Sequence, residues 1–361
     1  MSWRGVNGAG PSLFAAPDLP LDAPLPTGTV LLEIAAGALT GFLTDPQAQP
    51  TNLLRHSARL PWPSNLTLRL SPTGALTLLT RQGEQTRADT LEDAISTEAS
   101  AIITYGWNAP ARFGYLSVWQ PDLHRIRHLP LRNPLPLCWR DAKQMFEQPF
   151  DGLSHLAHYA AIADHLSPAG PLPDLAGETQ ISTPQGAVQI SCIRPGSRVD
   201  TADGIGACVI SVINAHVPAR GTFETVELRY PYLGLQEDIN LSASARLLLS
   251  GCDVEYFFGQ LWVSVTAAQL CDGVTAALQT PAPNARPSQL RYALVLDRPA
   301  AIIAAGALIE SYDLTPLMTC PAALEHSVVA GLALPQLTTG ADSAPQLRDY
   351  EALTLRQARA A

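Results

Sequence analysis

Cysteine and histidine have the widest chemical repertoire in this chain, because they act as nucleophiles, proton carriers and metal ligands. The six cysteines are scattered singly, at Cys138, Cys192, Cys208, Cys252, Cys271 and Cys320. No C-x-x-C pair occurs, which argues against zinc ribbons and thioredoxin-type redox sites. A disulfide framework is not expected in a chain of this length with so few cysteines. We therefore expect inert, isolated thiols, with no metal and no cofactor.

Three histidines, His155, His158 and His165, share one face if residues 139–166 form a helix. Three imidazoles would suit zinc, but the helix from the first to the last would span about 15 Å, too far for one ion. We interpret them as a solvated face beside an apolar stripe of Leu156 and Tyr159. The glycines near the N-terminus lack the spacing of a dinucleotide site, and the G-x-S-x-G, H-E-x-x-H and Walker motifs are missing.

The composition predicts a globular chain of about two domains: 361 residues, 47% hydrophobic and 15% charged. The 31 prolines and 25 glycines predict many turns between short elements. The net charge is −9 and basic residues do not cluster, so no nucleic-acid partner is expected. No apolar run is long enough for a membrane span. The first residues lack a basic segment followed by an apolar one, so we expect no ordinary signal peptide and a soluble chain, cytoplasmic by default.

Strand-like alternation dominates residues 28–130, at 29–43, 65–71, 75–83, 100–110 and 114–121, and predicts a jelly-roll-like β-sandwich. The run Ala101-Ile-Ile-Thr-Tyr-Gly-Trp-Asn-Ala-Pro resembles a late strand of concanavalin-like or laminin-G-like domains. We interpret Tyr105, Trp107 and Trp119 as aromatic residues that pack the sheet, with sugar stacking as the alternative.

The remaining segments divide the chain further. Residues 1–27 are predicted to form an irregular arm, 131–175 a helical and proline-rich connector, and 316–361 a loosely ordered tail with a short helix near 344–360. Strand patterns return over 176–315 and predict a second all-β domain. The expected fold class is therefore mainly β, with two β domains joined by the connector.

The second domain resembles the Hint (hedgehog/intein) family, in the form found in bacterial, largely alphaproteobacterial, proteins. Three ordered blocks carry the resemblance: 178–190 with Ile193-Arg-Pro-Gly-Ser-Arg-Val-Asp-Thr-Ala-Asp-Gly, then 241–249, then 292–311. Members of this family cleave or splice themselves: a Cys or Ser at the first position attacks the preceding carbonyl, and a His polarises or protonates the scissile amide.

The positions that this resemblance assigns to the chemistry have changed. Asp174 stands where the nucleophile belongs, Ala245 stands where the His belongs, and Ser242 stands at its usual Thr or Ser neighbour. A carboxylate cannot carry out the N-to-S or N-to-O shift, and alanine cannot transfer a proton. The resemblance therefore implies a degenerate site and favours a non-catalytic protein.

Asp297, Glu310 and Ser311 follow apolar runs of the third block. They are interpreted as residues that close turns, or else as a residual binding site shared with active relatives. The leading hypothesis is a binding or structural protein with an unidentified protein or glycan partner. The alternatives are self-cleavage through a nucleophile that the alignment misplaces, and carbohydrate binding through the sandwich. Because active relatives often sit in exported proteins, leaderless export stays open.

Overall fold

The computed structural model describes residues 2–8, 12–45, 47–96, 99–146, 150–279, 287–334 and 344–360. The strands are β1 (Trp3–Gly8), β2 (Leu13–Phe14), β3 (Pro24–Leu25), β4 (Thr27–Ile34), β5 (Thr51–Ala58), β6 (Ser64–Leu70), β7 (Leu76–Gln82), β8 (Gln85–Leu91), β9 (Ala101–Asn108), β10 (Phe113–Gln120), β11 (Arg125–Arg132), β12 (Leu137–Cys138), β13 (Ala157–Ala163), β14 (Gln180–Thr183), β15 (Gly186–Gln189), β16 (Arg198–Val199), β17 (Ala207–Pro218), β18 (Thr225–Leu228), β19 (Ile239–Ser242), β20 (Arg246–Ser250), β21 (Trp262–Thr266), β22 (Ala276–Leu278), β23 (Ser288–Leu296), β24 (Ala301–Ala304) and β25 (Ala307–Glu310). The helices are α1 (Trp139–Phe146), α2 (Cys252–Phe258), α3 (Thr315–Met318), α4 (Pro321–Leu324) and α5 (Asp349–Ala360). The fold is mainly β, as the sequence predicts.

The chain divides into two compact units. The first comprises Met1–Leu172, Arg286–Ser288 and Thr315–Ala330, and the second Pro173–Ala285, Gln289–Leu314 and Gly331–Ala361.

The first unit is a β-sandwich of two antiparallel sheets. One sheet has seven strands in the order β11-β10-β9-β4-β13-β1-β2, and the other has four in the order β5-β6-β7-β8. Apolar side chains from both sheets, such as Leu32 and Ile103 on one and Leu66 and Leu68 on the other, share a single core. Their alternation with outward residues is what lets two sheets bury one face each.

The hairpin of β6 and β7 confirms the strands predicted at 65–71 and 75–83. The two strands pair from Ser64–Gln82 to Leu70–Leu76, and the backbone N–H of Ser71 donates to the carbonyl of Ala75 across the turn (2.9 Å). Gly74 has a φ of +79°, and a Cβ there would lie 2.0 Å from the Ile95 carbonyl oxygen. Only glycine fits this position.

Two of the three aromatic residues discussed above pack the sheet, as the sequence analysis expected. Tyr105 and Trp107 are buried and stacked, with ring centroids 5.2 Å apart. The Trp107 indole N–H donates to the carbonyl of Leu25 (2.9 Å), which satisfies its only polar group. Neither ring is accessible for sugar stacking.

The prediction of one helix over 139–166 is wrong. Helix α1 ends at Phe146, and residues 157–163 form β13, which lies between β4 and β1 inside the seven-stranded sheet. Gly152 lies so close to β5 that a Cβ there would come within 2.0 Å of the Arg55 carbonyl oxygen. Pairing on both edges of β13 overrides its helix-like periodicity.

The three histidines consequently do not share a helix face. His155 and His158 are exposed, in a turn and on β13 respectively. His165 is buried, and its Nδ1 lies 3.4 Å from an Asp164 carboxylate oxygen.

The domain boundaries from the sequence also need correction. The predicted arm 1–27 contains β1, which pairs with β13 and β2, and the predicted connector 131–175 contains β12, α1 and β13. The predicted tail 316–361 is divided between the units: Thr315–Ala330 belongs to the sandwich unit, while α5 belongs to the second. Helix α5 confirms the helix expected near 344–360. Strands β1, β12 and β13 were missed because the strands that they pair with are distant in sequence.

The second unit contains three sheets. Six strands run in the order β15-β14-β24-β25-β20-β21, and two three-stranded sheets run β16-β17-β23 and β19-β18-β22. One continuous core joins them, with Ile181, Val226, Leu247 and Ile302 among its buried members. Strands β14 to β25 lie in the range 176–315, where the sequence predicts strands.

Candidate functional site

The site begins at Asp174, the second residue of the second unit, on a short extended segment between β19 and β23. Leu175 bridges to Leu241 on one side and to Tyr292 on the other. The backbone N–H of Ser242 donates to the Asp174 carbonyl (2.8 Å), and that of Leu175 to the Tyr292 carbonyl (2.9 Å). These bonds on both edges fix the segment and hold residue 174 against the end of β19.

The turn after β19 closes over Asp174. The hydroxyl of Ser244 donates to Asp174 Oδ1 (2.8 Å). The N–H of Ala245 donates to the Ser242 carbonyl (3.0 Å), and the Ala245 carbonyl accepts from the N–H of Ala267 (2.9 Å), which leaves the Ala245 methyl group buried. The three positions singled out by sequence, Asp174, Ser242 and Ala245, therefore lie on one segment and one adjoining turn.

Burial controls the protonation of Asp174. It raises the pKa of this carboxyl to about 6, against the opposing effects of the Ser244 hydrogen bond and the Arg291 charge. Arg291 is only 3% exposed, and it donates to Thr225 Oγ1 (2.7 Å) and Gln289 Oε1 (2.5 Å). Burial likewise lowers the pKa of Arg291. A carboxyl in this setting changes its charge near neutral pH.

Tyr312 belongs to the same electrostatic environment. Burial raises the pKa of its phenol, and the negative charges of Asp174 and Asp313 add to the effect. Its backbone N–H donates to the Leu294 carbonyl (3.0 Å), which holds it beside β23. The neutral phenol of Tyr312 therefore lies within the electrostatic influence of the Asp174 carboxyl.

The residues proposed as a residual site are held by separate partners. Asp297 exchanges hydrogen bonds with the backbone of Cys208, and Glu310 accepts from the Ser264 hydroxyl (2.7 Å). Ser311 pairs with the backbone of Ala300. Among the described residues, no hydrogen bond joins Asp297, Glu310 and Ser311 to one another or to Asp174.

The cysteines are all free. Cys192 and Cys252 are exposed, and Cys138 is buried. Burial raises the pKa of Cys138 to about 11, so its thiolate is scarce at neutral pH. Over the part of the chain that the structure describes, no group of three or more His, Cys, Asp or Glu side chains could hold a metal ion. In the same ranges no helix is long and apolar enough to cross a membrane.

Sequence reasoning missed a second polar cluster, inside the sandwich. Asp141 is fully buried and accepts from His56 Nε2 (3.1 Å), Ser64 Oγ (2.8 Å) and Cys138 Sγ (3.1 Å). One contact of Asp141 could have been predicted from the local sequence. Asp141 also accepts the backbone N–H of Cys138 (3.2 Å), three residues earlier, as the acidic residue of a capping box does. The contacts with His56 and Ser64 have no sequence pattern.

Comparison with known proteins assigns the second unit. Residues 173–316 match the family model of the Hint domain, and this part of the chain is a Hint domain. No curated protein matches the chain significantly.

Among solved structures, the MchDnaB-1 intein is 17% identical with a TM-score of 0.26, over 38% of this chain and 99% of that chain. A bacterial intein-like domain from Clostridium thermocellum is 14% identical with a TM-score of 0.29, over 39% of this chain and 100% of that chain. The Ruminococcus gnavus IT-sialidase CBM40 is 12% identical with a TM-score of 0.25, over 45% of this chain and 78% of that chain.

Proposed function

We propose that the Hint domain of this chain does not cleave or splice itself, and that it serves as a folded module of a binding or structural protein. The sandwich is the recognition domain in this proposal, for a protein or glycan partner. The observation that supports it is the hydrogen bond from Ser244 to Asp174 next to Ala245: by the family resemblance, a carboxyl stands at the nucleophile position and a methyl group at the imidazole position.

The chemistry explains why these two changes are decisive. An acyl shift needs a thiol or hydroxyl on the first residue, and departure of the amide nitrogen needs a proton donor. Nucleophile and acid act as a unit, so that loss of either removes nearly the whole acceleration. Asp174 instead accepts a hydrogen bond from Ser244, which holds its carboxyl within the site.

Intact-mass spectrometry tests the proposal directly. The purified chain is incubated with and without dithiothreitol or hydroxylamine, which intercept any thioester or ester. We expect a single species near 38.5 kDa under all conditions. A fragment that ends close to residue 173 would overturn the proposal and show that the nucleophile lies elsewhere.

A further inference from the structure

The outer face of the four-stranded sheet in the sandwich is basic. The inner face of this sheet packs the core, so alternate residues of its strands point away from the core. Arg55 on β5, Arg69 on β6 and Arg81 on β7 are all exposed. Arg55 pairs with Thr67 and Arg81 with Asn65, two positions of β6 that alternate with Arg69 on the same face. Strand pairing therefore brings together three arginines that are scattered along the sequence.

The sheet has no acidic side chain that neutralises these arginines. Asp89 is the one acidic residue in strands β5 to β8, and it forms an ion pair with Arg87 of the same strand (3.2 Å). In the part of the chain that the structure describes, none of the three exposed arginines has an ion pair. The Nε of Arg81 donates to the Gly83 carbonyl (2.9 Å), which orients the guanidinium but leaves its charge uncompensated.

The carboxylates around this sheet lie at its margins. Glu84, Glu92 and Asp151 are in turns, and in the described ranges none of them pairs with the three arginines. Arg59 is exposed just after β5 and adds a positive charge at the same margin as Glu84. The chain has a net charge of −9, but at physiological ionic strength interactions between exposed charges fade beyond about 8 Å. A partner in contact with the face therefore meets the arginines rather than the net charge.

The spacing of the arginines suits a partner with repeated negative charges. With strands about 4.8 Å apart and a rise of about 3.4 Å per residue, the Cα atoms of Arg69 and Arg81 lie about 8 and 12 Å from that of Arg55. Positive charges distributed over three strands match a polymer better than they match one small anion. The planar guanidinium binds a planar carboxylate through two parallel hydrogen bonds, which favours carboxylates as the repeated group.

The rest of the face is polar and uncharged. The hydroxyls of Thr77 and Thr90 share a hydrogen bond across β7 and β8 (3.1 Å). On β6 the Thr67 hydroxyl donates to Asn65 Oδ1 (3.2 Å), and Ser57 is exposed on β5. Hydroxyl and amide groups both donate and accept hydrogen bonds, as the hydroxyls of a sugar require.

Other polyanions fit this face less well. Strands β5 to β8 contain no Phe, Tyr or Trp, so the bases of a single-stranded nucleic acid have no ring on which to stack. Duplex DNA is read by an element that enters a groove, which the face of a sheet cannot do. The same strands offer no exposed aromatic anchor for a lipid surface.

We propose that the outer face of this sheet binds a polyuronate, an acidic polysaccharide whose carboxylates pair with Arg55, Arg69 and Arg81. The sugar hydroxyls contact the threonines between and beside these arginines. The assignment rests on the proposed function, since it takes the sandwich as the recognition domain and names its partner as a glycan.

Isothermal titration calorimetry of the full chain at physiological ionic strength tests the proposal with an oligogalacturonate long enough to cross three strands. We expect saturable binding, and at least about tenfold weaker binding of the methyl-esterified oligomer, which has the same sugars without the charge. Polyglutamate, which has carboxylates without sugar hydroxyls, and a DNA duplex should also bind at least about tenfold more weakly. Absence of saturable binding, equal binding of the ester, or tighter binding of polyglutamate or DNA would each overturn the proposal.

Three variants at exposed positions locate the site. Arg69→Gln and Arg81→Gln should each weaken oligogalacturonate binding about fivefold, because each removes one guanidinium–carboxylate pair. The matched control is Arg132→Gln, which removes the same charge from an exposed position on β11 of the other sheet and should leave the affinity unchanged. Equal losses in all three variants, or no loss in Arg69→Gln and Arg81→Gln, would exclude this face.

The intact mass of the same samples reports self-cleavage independently of binding. A chain that stays intact and binds no oligogalacturonate would therefore overturn the polyuronate assignment alone, whereas a cleaved chain would overturn the proposed function.

Discussion

Asp141 in the sandwich is fully buried and Asp174 in the Hint domain is half-buried, and their carboxyl groups differ in charge behaviour. For Asp141 burial alone would raise the pKa, but hydrogen bonds from His56, Cys138 and Ser64 lower it below its ordinary value. For Asp174 burial prevails and raises the pKa to about 6, although the hydrogen bond from Ser244 and the charge of Arg291 oppose the rise. The hydrogen bonds outweigh desolvation at Asp141 and do not outweigh it at Asp174.

This difference indicates what each site contributes. A buried carboxylate with several donors fastens β5, β6 and α1 together, and its charge is part of the fold. A carboxyl that is ionised at a free-energy cost near neutral pH does not optimise stability.

The largest effect is expected from removing the Asp141 carboxylate, which accepts several hydrogen bonds. Asp141→Ala should lower the free energy of unfolding by about 3 kcal/mol, because buried donors on His56, Ser64 and Cys138 lose their acceptor. Urea unfolding measures it. The control is Asp22→Ala, which removes an exposed ion pair with Arg140, the residue next to Asp141 on α1. It should leave the unfolding midpoint unchanged. Equal effects of the two variants would mean that the cluster does not stabilise the sandwich.

Replacing the second carboxyl, that of Asp174, should raise the free energy of unfolding. Asp174→Asn should stabilise the protein by about 2 kcal/mol at pH 7.5, since the amide oxygen still accepts from Ser244 and no charge needs to be buried.

The pH dependence of Asp174→Asn follows from linkage. The carboxyl has a pKa of about 6 when folded and an ordinary value near 3.8 when unfolded, so the wild type loses stability as the pH rises between these values. The gain from Asp174→Asn should therefore vanish near pH 4 and reach its full size above pH 6. Unfolding curves at pH 4 and 7.5 measure it, and a gain independent of pH would contradict the assignment.

A half-buried histidine in the sandwich, His128, tests whether desolvation also shifts a basic group there. Burial lowers the pKa of His128 to about 4, and the charge of His326, 2.9 Å away, adds to the effect. The unfolded chain takes up this proton near pH 6.5, so stability should fall as the pH drops from about 6.5 to 4.

His128→Gln should remove about 1 kcal/mol of that loss at pH 5. Thermal unfolding at pH 5 and 7.5 measures the difference. His158→Gln, at an exposed position on β13, should keep the wild-type pH dependence. If both variants follow the wild-type profile, His128 does not titrate with folding.

The smallest effect is expected from removing the Ser244 hydroxyl, which donates a hydrogen bond to Asp174. Ser244→Ala should cost about 0.5–1 kcal/mol at pH 7.5 and raise the pKa of Asp174 further, because it removes a donor that favours the charged carboxylate. An NMR titration of the Asp174 side chain measures the shift. An unchanged pKa would show that the Ser244 hydrogen bond has no influence on ionisation.

Much of the fold is readable from the sequence where its signal is local. The hairpin of β6 and β7 follows from alternation on either side of a Gly74 turn, and the strands of the Hint domain follow from short apolar runs between Gly and Pro. The three Hint-like blocks likewise single out Asp174, Ser242 and Ala245, and backbone hydrogen bonds join these three positions in the structure.

Tertiary structure alone decided the rest, since it depends on partners far away in the chain. Residues 157–163 have a helix-like pattern, but β4 and β1 claim both edges of that segment and make it a strand. The environment of Asp141 depends on residues that lie 77 and 85 positions away. The charge of Asp174 is decided in the same manner: sequence supplies the carboxyl, and only burial beside β19 and β23 determines how tightly it holds its proton, because desolvation is a property of the assembled core.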